Sequence, residues 1–263
     1  MEKIIVSIKG VPKPGTVKVD PETHTLKRED MELILNPYDR YALEMAVSLK
    51  ERYQTEVTVI SMGPLNVIPI LKQAYSLGAD KLILISDKLF AGSDTLATSY
   101  VLAKAIEKLS PFSLILMGVK SMDSETSQVG PETASILNLP SITLVKKIYK
   151  EEENWIVIRD TDYGEEELEV KGPFLATISP NLDYLRPPSL KRILKVKNIE
   201  PLFWSAKDLK VEEGRVGLKG SPTQVVGVEE KKIEAKGVII EDEPSVLVEK
   251  LLEVLKKKEI IKD

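Results

Sequence analysis

The fold of this chain is decided by residues 82–99, which read LILISDKLFAGSDTLATS. Four consecutive apolar residues predict a buried strand, and a polar loop and a helical pattern follow at once. A strand that is apolar along its whole length is typical of a parallel sheet with both faces covered. The stretch therefore predicts one strand–loop–helix unit of an α/β fold.

The same unit recurs along the first 145 residues. Predicted strands cover 4–8, 57–60, 82–85, 114–117 and 142–144. Predicted helices begin near 37, 66 and 94, and between 127 and 131. Asn36 before Pro37 is a favourable cap and helix start, and Gly78 is a favourable helix end. The alternation predicts the α/β class, with a parallel sheet and helices on both faces.

Three further segments depart from this alternation. Residues 155–159 and 167–170 predict a hairpin that turns near Gly164, and 174–178 predict another buried strand. Residues 17–20 and 32–35 are candidates for a small hairpin in the first long connection.

The chain becomes irregular after Asn181, with many prolines and glycines, and only 246–257 returns to a helical period. Phe203 and Trp204 lie within this irregular part and need burial, which favours packing on a partner. We therefore expect two regions: an α/β domain over 1–197 and an extended arm with a terminal helix over 198–263.

Composition excludes several kinds of chemistry. The chain has no cysteine and one histidine, His24, so disulfides, thiolate catalysis and an iron–sulfur cluster bound by this chain are excluded. A formal charge of -4 disfavours nucleic-acid binding. No apolar run approaches the roughly 20 residues that span a bilayer, and the first residues lack a signal-peptide pattern. We expect a cytoplasmic protein without direct membrane insertion.

Ligands of open α/β sheets bind beyond the carboxyl ends of the strands, here residues 7–9, 61–64, 86–98 and 118–130. In 86–98, Gly92 permits close approach and a helix begins directly after it, so a pyrophosphate would fit near Thr95 and Thr98. The alternative is that Ser93 or Asp94 only caps the helix and the threonines are solvated, and spacing alone favours this alternative.

The loop 118–130 is long and polar for a simple connection, which favours a function slightly over a solubilising surface. Familiar catalytic motifs are missing. Neither a P-loop nor G-x-G-x-x-G follows the first strand, and one histidine does not support a Ser-His-Asp set. Asp160 and Asp162 fit a hairpin surface better than a metal site. We predict no catalytic acid, base or metal ligand.

Several segments together resemble the electron transfer flavoprotein beta family over nearly the whole chain. They are Ile8-Lys9, Asn36-Pro37-Tyr38-Asp39, Ser61-Met62-Gly63-Pro64, Leu77-Gly78-Ala79-Asp80, 123–130, Arg159-Asp160 with 164–167, and Pro173-Phe174-Leu175-Ala176-Thr177. The resemblance implies an adenine nucleotide alpha hydrolase-like fold and an obligate alpha subunit that carries FAD. It also implies AMP in the beta-subunit pocket, or a second FAD in the bifurcating branch of the family.

Residues 90–98, F-A-G-S-D-T-L-A-T, resemble the F-A-G-[AS]-D-T-x-A-T segment of the bifurcating branch. Residues 19–23 and 25–28, in the first long loop, also resemble members of this branch. This branch implies FAD as cofactor, NADH as substrate of the complex, and ferredoxin and dehydrogenase or quinone-reductase type partners. Two departures are Ser124 with Glu125, where the family commonly has Gly-Asp, and His24, where it commonly has Gly.

The resemblance also implies roles for particular residues. Thr95 and Thr98 would hold pyrophosphate, and 123–130 would hold the adenosine or ribityl part. The full set implied for the cofactor is Ser7, Lys9, Asn36, Met62, Asp94, Thr95, Thr98, Gly118, Asp123, Thr126, Ser127, Gln128, Val129 and Gly130.

Residues 181–197 resemble the family's recognition loop for redox partners. Leu190 would be its apolar anchor, with Lys191 and Arg192 for electrostatic steering. A basic, proline-rich linker is the alternative interpretation of this segment. Three alternatives remain for the whole chain: a conventional beta subunit with AMP, a stand-alone adenine-nucleotide-binding regulator or ATP-cleaving enzyme, and a purely structural partner.

Overall fold

The computed structural model describes residues 2–14, 32–182, 184–224, 237 and 239–261. Contacts divide the chain into two units, Met1–Val228 and Glu229–Asp263. The first unit contains the sheet and its helices, and the described residues of the second contain one helix, α8 (Pro244–Lys257). His24 and the predicted strand at 17–20 lie outside the described residues. The predicted division at residue 197 stays a prediction.

The described strands of the first unit form one large sheet and one small one. The large sheet has the order β11-β5-β4-β1-β6-β10-β7-β8-β9, and β2 pairs with β3 apart from it. The bounds are β1 (Lys3–Ser7), β2 (Gly10–Pro12), β3 (Leu33–Leu35), β4 (Glu56–Met62), β5 (Lys81–Ile85), β6 (Leu114–Gly118), β7 (Ser141–Glu151), β8 (Asn154–Thr161), β9 (Gly164–Val170), β10 (Phe174–Ile178) and β11 (Leu202–Trp204).

The strands from β11 to β7 are parallel along the order of the sheet, while β7, β8 and β9 pair antiparallel. The predicted buried strands and the hairpin near Gly164 are confirmed. β7 is much longer than the predicted 142–144, because its second half pairs with β8 after a register shift between Val145 and Lys147. The predicted strand at 32–35 pairs with Gly10–Pro12.

The helices follow the strands as expected for an α/β fold. Their bounds are α1 (Pro37–Tyr53), α2 (Ile68–Leu77), α3 (Thr95–Lys108), α4 (Val129–Ile136), α5 (Leu190–Lys195), α6 (Ala206–Leu209) and α7 (Gly217–Gly220). Short 3-10 turns cover Leu65–Val67, Lys88–Phe90, Val196–Asn198 and Glu213–Arg215.

Two separate apolar cores place helices on both faces of the sheet. Side chains of α1 and α2, such as Leu43 and Leu71, pack with one set of strand residues. Side chains of α3 and α4, such as Ile106 and Ala134, pack with the residues that point the other way. The alternation of strand side chains between the faces requires this arrangement. The predicted α/β class is therefore confirmed.

The segment after α5 packs within the first unit. β11 adds to the edge of the sheet beside β5, and Lys108 lies over the ring of Trp204, 4.6 Å from its centroid. Leu209 and Val216 are buried in the core beneath α3. This segment therefore buries part of its own apolar surface, whereas Phe203 stays half exposed.

The other edge of the sheet is acidic. β9 is the last strand and carries Glu165, Glu166, Glu167 and Glu169. Glu165 pairs with Lys146 at 2.6 Å, and Glu166 pairs with Arg159 at 2.6 Å. The edge therefore presents charged side chains next to its unpaired backbone groups.

Arg186 fixes the chain after β10 against α1. Its guanidinium pairs with Glu44 at 2.9 Å and with Glu51 at 2.5 Å, and Glu44 is buried. Burial raises the pKa of Glu44, but the hydrogen bonds and charge of Arg186 outweigh this effect and hold the pKa below its usual value. The ion pair therefore anchors the segment that leads into α5.

We predict that Arg186→Met lowers the free energy of unfolding by about 3 kcal/mol, because the buried Glu44 carboxylate loses its ion pair and keeps only neutral hydrogen-bond donors, such as the Ser48 hydroxyl. Glu51→Gln is the matched control: it removes the exposed partner of the same arginine and should cost less than about 1 kcal/mol. Urea unfolding of the two variants measures the difference. Equal losses would mean that solvent screens Glu44 as well.

Candidate functional site: the carboxyl edge of the sheet

A crevice is expected where the strand order reverses. β1 lies between β4 and β6, and the helix after β1 covers one face while the helix after β6 covers the other. The loops that leave β1 and β6 therefore diverge at the carboxyl edge of the sheet, which is the usual ligand position in such folds. Ser7 at the end of β1 is buried opposite Ile60 and Met117.

Asp39 joins the two diverging strands. It lies in the first turn of α1 and is buried. One carboxyl oxygen accepts the N–H of Lys9 at 2.7 Å, and the other accepts the N–H of Gly118 at 3.1 Å. A Cβ at Gly118 would meet Asp39 directly, so only glycine lets the strand end approach this carboxyl group.

Burial raises the pKa of Asp39 to about 7, and the N–H groups of Lys9 and Gly118, the Asn36 side chain and the charge of Lys9 offset burial only in part. A carboxyl group with this pKa changes its protonation near neutral pH. Asp39 lies between the two connections that diverge at the carboxyl edge of the sheet.

The side chain of Asn36 corrects the prediction that it caps α1. Asn36 precedes the helix as predicted, but its side chain makes no capping hydrogen bond. Instead its Nδ2 donates to the carbonyl of Lys120 at 2.9 Å, and its Oδ1 accepts the N–H of Met122 at 3.2 Å. Asn36 therefore holds the loop that follows β6.

Lys9 reaches the same loop from the other strand. Its Nζ pairs with Asp123 at 2.7 Å and contacts the Ser121 hydroxyl at 3.4 Å. Partial burial opposes the ionisation of Asp123, but the hydrogen bond and charge of Lys9 outweigh it, so the pKa of Asp123 lies below its usual value. Ser7, Lys9, Asn36, Gly118 and Asp123 are thus brought together around the crevice.

A second group of predicted residues meets where α3 and α4 begin. Asp94 caps α3 by accepting the N–H of Ala97 at 3.0 Å. The N–H groups of Thr95 and Leu96 have no intrahelical acceptor in a helix that starts here, and they carry the positive end of the helix dipole. Thr95 lies 3.4 Å from the side-chain oxygen of Gln128, the residue before α4.

Glu132 is a member of this second group that the sequence analysis missed. Its carboxylate accepts the Thr95 hydroxyl at 3.2 Å and the Ser99 hydroxyl at 3.0 Å. A phosphate that accepts a hydrogen bond from the Thr95 hydroxyl must therefore displace the Glu132 carboxylate as its acceptor. The position of Glu132 in the first turn of α4 was the available signal.

The remaining residues predicted for the cofactor are described by their position and burial. Thr98 is half-buried in the first turn of α3, and Met62 is partly buried at the end of β4. Thr126, Ser127 and Gln128 are exposed, and Ser127 has a left-handed backbone, with φ 56. Val129 opens α4 and is half-buried.

The edge provides features that suit an adenine-bearing phosphate ligand. The start of α3 offers free N–H groups, and Gly130 leaves no space for a Cβ, which would lie 2.6 Å from Thr177 Cγ2. The Thr177 hydroxyl is buried without a hydrogen-bond partner among the described residues. The close contact of Gly130 is with β10 of the same chain, so the feature of this edge that suits a phosphate is the start of α3.

Comparison with known proteins gives the family of this chain. Residues 23–201 match the family model described as "Electron transfer flavoprotein domain". The chain is 40% identical over 259 residues to an electron transfer flavoprotein subunit beta of Thermoanaerobacterium thermosaccharolyticum, covering 98% of this chain and 99% of the relative. The chain belongs to the electron transfer flavoprotein family.

Other relatives in the family have different names. A caffeyl-CoA reductase-Etf complex subunit, CarD, of Acetobacterium woodii is 39% identical over 85% of this chain and 86% of its own length. A protein FixA of Azorhizobium caulinodans is 38% identical over 84% of this chain and 82% of its own length. The predicted resemblance to the electron transfer flavoprotein beta family is confirmed at the level of the family, and the bifurcating branch stays a prediction.

The predicted recognition residues of this electron transfer flavoprotein chain lie on α5. Leu190 is 72% exposed, and Ile193 and Leu194 are exposed beside it. Lys191 is also exposed. Arg192 instead donates to the carbonyls of Tyr75 and Ala79 at the end of α2. Its guanidinium therefore forms hydrogen bonds within this chain.

No helix among the described residues is long and apolar enough to cross a membrane. The described residues also contain no group of three or more His, Asp or Glu side chains arranged to hold a metal ion.

The pKa of Asp39 predicts a specific pH dependence. Because the native chain binds this proton more tightly than the unfolded chain, its contribution to stability is complete below about pH 4 and is lost as the pH rises through about 7. From pH 5 to pH 8 the free energy of unfolding should fall by roughly 2–3 kcal/mol more in the wild type than in Asp39→Asn, which does not titrate.

Chemical denaturation at several pH values measures this difference, and Asp39→Asn reports the slope due to all other groups. If wild type and variant differed by the same amount at pH 5 and pH 8, Asp39 would be ionised at both.

Proposed function

We propose that this chain is the beta subunit of a bifurcating electron transfer flavoprotein and binds FAD at the carboxyl edge of its sheet. The observation that carries the proposal is the position of residues 90–98, F-A-G-S-D-T-L-A-T, in the connection after β5 and the first turn of α3. The segment that resembles the bifurcating branch therefore surrounds the helix terminus best suited to a pyrophosphate.

The alpha subunit is the proposed obligate partner. The names of the relatives support this, since one is a "subunit beta" and another is a subunit of a reductase-Etf complex. The arm proposed over 198–263 would contact that subunit, and α8 has exposed apolar residues such as Leu251 and Val248. We place the complex in the cytoplasm.

The chain's own residues would bind and orient the cofactor. Thr95 and Thr98 would hold the pyrophosphate at the start of α3, and residues 123–130 would hold the adenosine or ribityl part. Ser7, Asn36 and Met62 would line the adenine end. Lys9 would keep Asp123 and its loop in place through their ion pair.

When bound, the flavin would supply the redox chemistry: it would take a hydride from NADH and pass one electron to ferredoxin and one, through the alpha-subunit FAD, to a higher-potential acceptor. The polypeptide would supply placement and electrostatics. Leu190 and Lys191 would contribute to docking of dehydrogenase or quinone-reductase type partners.

The flavin content of the purified heterodimer tests the proposal. Two FAD per heterodimer and no AMP are expected after denaturation, measured by absorbance and chromatography of the released cofactors. One FAD with one AMP would establish the conventional beta subunit instead. A stable monomer that turns over nucleotide alone would favour a regulator or an ATP-cleaving enzyme.

We predict that Thr95→Val with Thr98→Val lowers the affinity of the cofactor-stripped heterodimer for FAD at this site by at least about tenfold, because hydroxyl hydrogen bonds to a charged group are lost. Fluorescence titration with FAD measures it. Thr161→Val is the matched control, since its hydroxyl bonds only within the hairpin turn. If the double variant bound FAD as tightly as the wild type, the result would support the alternative that this chain is a purely structural partner.

A further inference from the structure

The loop that precedes α3 is fastened from the far end of the chain. The N–H of Ser86 donates to the carbonyl of Trp204 at 2.9 Å, and the N–H of Ala206 donates to the Asp87 carboxylate at 3.0 Å. These two contacts position the start of the loop. The residues that follow Ala206 then cover the rest of it.

Residues 215–223, which we name the strap, cover the second half of this loop. The N–H of Gly217 donates to the Ser93 hydroxyl at 3.1 Å, and the side chain of Leu218 fills the space above Gly92. Arg215 lies 4.0 Å from the centroid of the Tyr100 ring on α3. The strap is therefore a packed part of the unit.

The strap makes its most specific contacts with Asp94, the cap of α3. The buried Ser221 hydroxyl accepts the N–H of Asp94 at 2.8 Å. Thr223 donates both its N–H, at 3.0 Å, and its hydroxyl, at 2.8 Å, to Oδ2 of Asp94. The other oxygen, Oδ1, accepts the N–H of Ala97. Both oxygens are thus engaged away from the first two residues of α3.

This arrangement matters for an anion at the start of α3. An ionised cap residue competes for the same N–H groups that a phosphate needs, and its charge repels the phosphate. Burial opposes the ionisation of Asp94, but hydrogen bonds from Ala97 and Thr223 hold its pKa below the usual value. The carboxylate therefore stays charged, and its orientation decides how strongly it opposes an anion.

We propose that Ser221 and Thr223 are positioning residues of the cofactor site. Ser221 holds the backbone N–H of Asp94 and Thr223 holds its carboxylate against the strap, which leaves the N–H groups of Thr95 and Leu96 to the ligand's phosphates. This inference rests on the proposed function, since it names residues that act on the proposed phosphate position. Without the strap, Oδ2 of Asp94 loses two donors and is free to turn to the helix start.

The experiment compares ADP with adenosine on the cofactor-stripped heterodimer, by isothermal titration. Ser221→Ala with Thr223→Val should weaken ADP by roughly tenfold and leave adenosine within about twofold, because only ADP has phosphates at α3. Thr223→Ser keeps the hydroxyl and should bind both ligands as wild type does. Thr161→Val, a threonine of the hairpin turn, is the matched control.

Gly217→Ala provides a second variant. Gly217 has φ 59, and a Cβ there would meet the carbonyl of Leu89, so the strap must move away from the loop. The same selective loss of ADP is expected. If the double variant of Ser221 and Thr223 fails to assemble, the two single variants Gly217→Ala and Thr223→Val are compared with the wild type instead.

Two results would overturn the inference. If the strap variants bound ADP as tightly as the wild type, Ser221 and Thr223 would have no positioning role. If the affinities for ADP and adenosine fell equally, the strap would only support the fold. A wild-type heterodimer that binds neither ligand overturns the proposed function itself, which keeps the two failures distinct.

Discussion

The buried carboxyl group of Asp39 accepts the N–H groups of Lys9, just beyond β1, and of Gly118, at the end of β6. The two strands are neighbours in the sheet, and the connections that leave them run toward opposite faces. Backbone donors at the point of divergence have no partner in the sheet and need another acceptor. Asp39 satisfies one donor on each connection, so it ties the two connections together where they separate.

Other polar contacts extend the same principle outward. Asn36 and Lys9 hold the loop after β6 by its backbone and by Asp123, and Glu132 joins α4 to α3 through two hydroxyl groups. Each contact uses a side chain of one element to satisfy or position another element. The edge of the sheet is therefore a connected polar network with defined positions, and a ligand that enters it exchanges existing hydrogen bonds for new ones.

The strands, helices and fold class could be predicted because their signals are local. Burial is indicated by apolar runs such as 82–85 and 114–117, and a helix end is indicated by a residue such as Gly78. Each signal lies within a few residues of the feature that it predicts. The long second half of β7 was missed because its pairing with β8 uses charged residues that are half exposed and break the apolar pattern.

The site could be predicted only in outline. The loops at the carboxyl edge follow from the alternation of strands and helices, which is why Asp94 and Thr95 were placed correctly at the start of α3. The partners of these residues could not be found in this way. Asn36 bonds to a loop more than 80 residues away, and Asp94 bonds to Ser221 and Thr223 near the far end of the unit. No local pattern encodes contacts at such separations.

The two borders of the large sheet have a consequence for the behaviour of the protein in concentrated solution. At one border β11 has only three residues, and at the other β9 has a row of glutamates. A neighbouring molecule that added a strand would find either too few backbone groups to bind or a row of charged side chains, some of them already paired with lysine or arginine. Edge-on stacking of copies into fibrils is thereby discouraged, although the sheet between these borders is long, apolar and rich in β-branched residues.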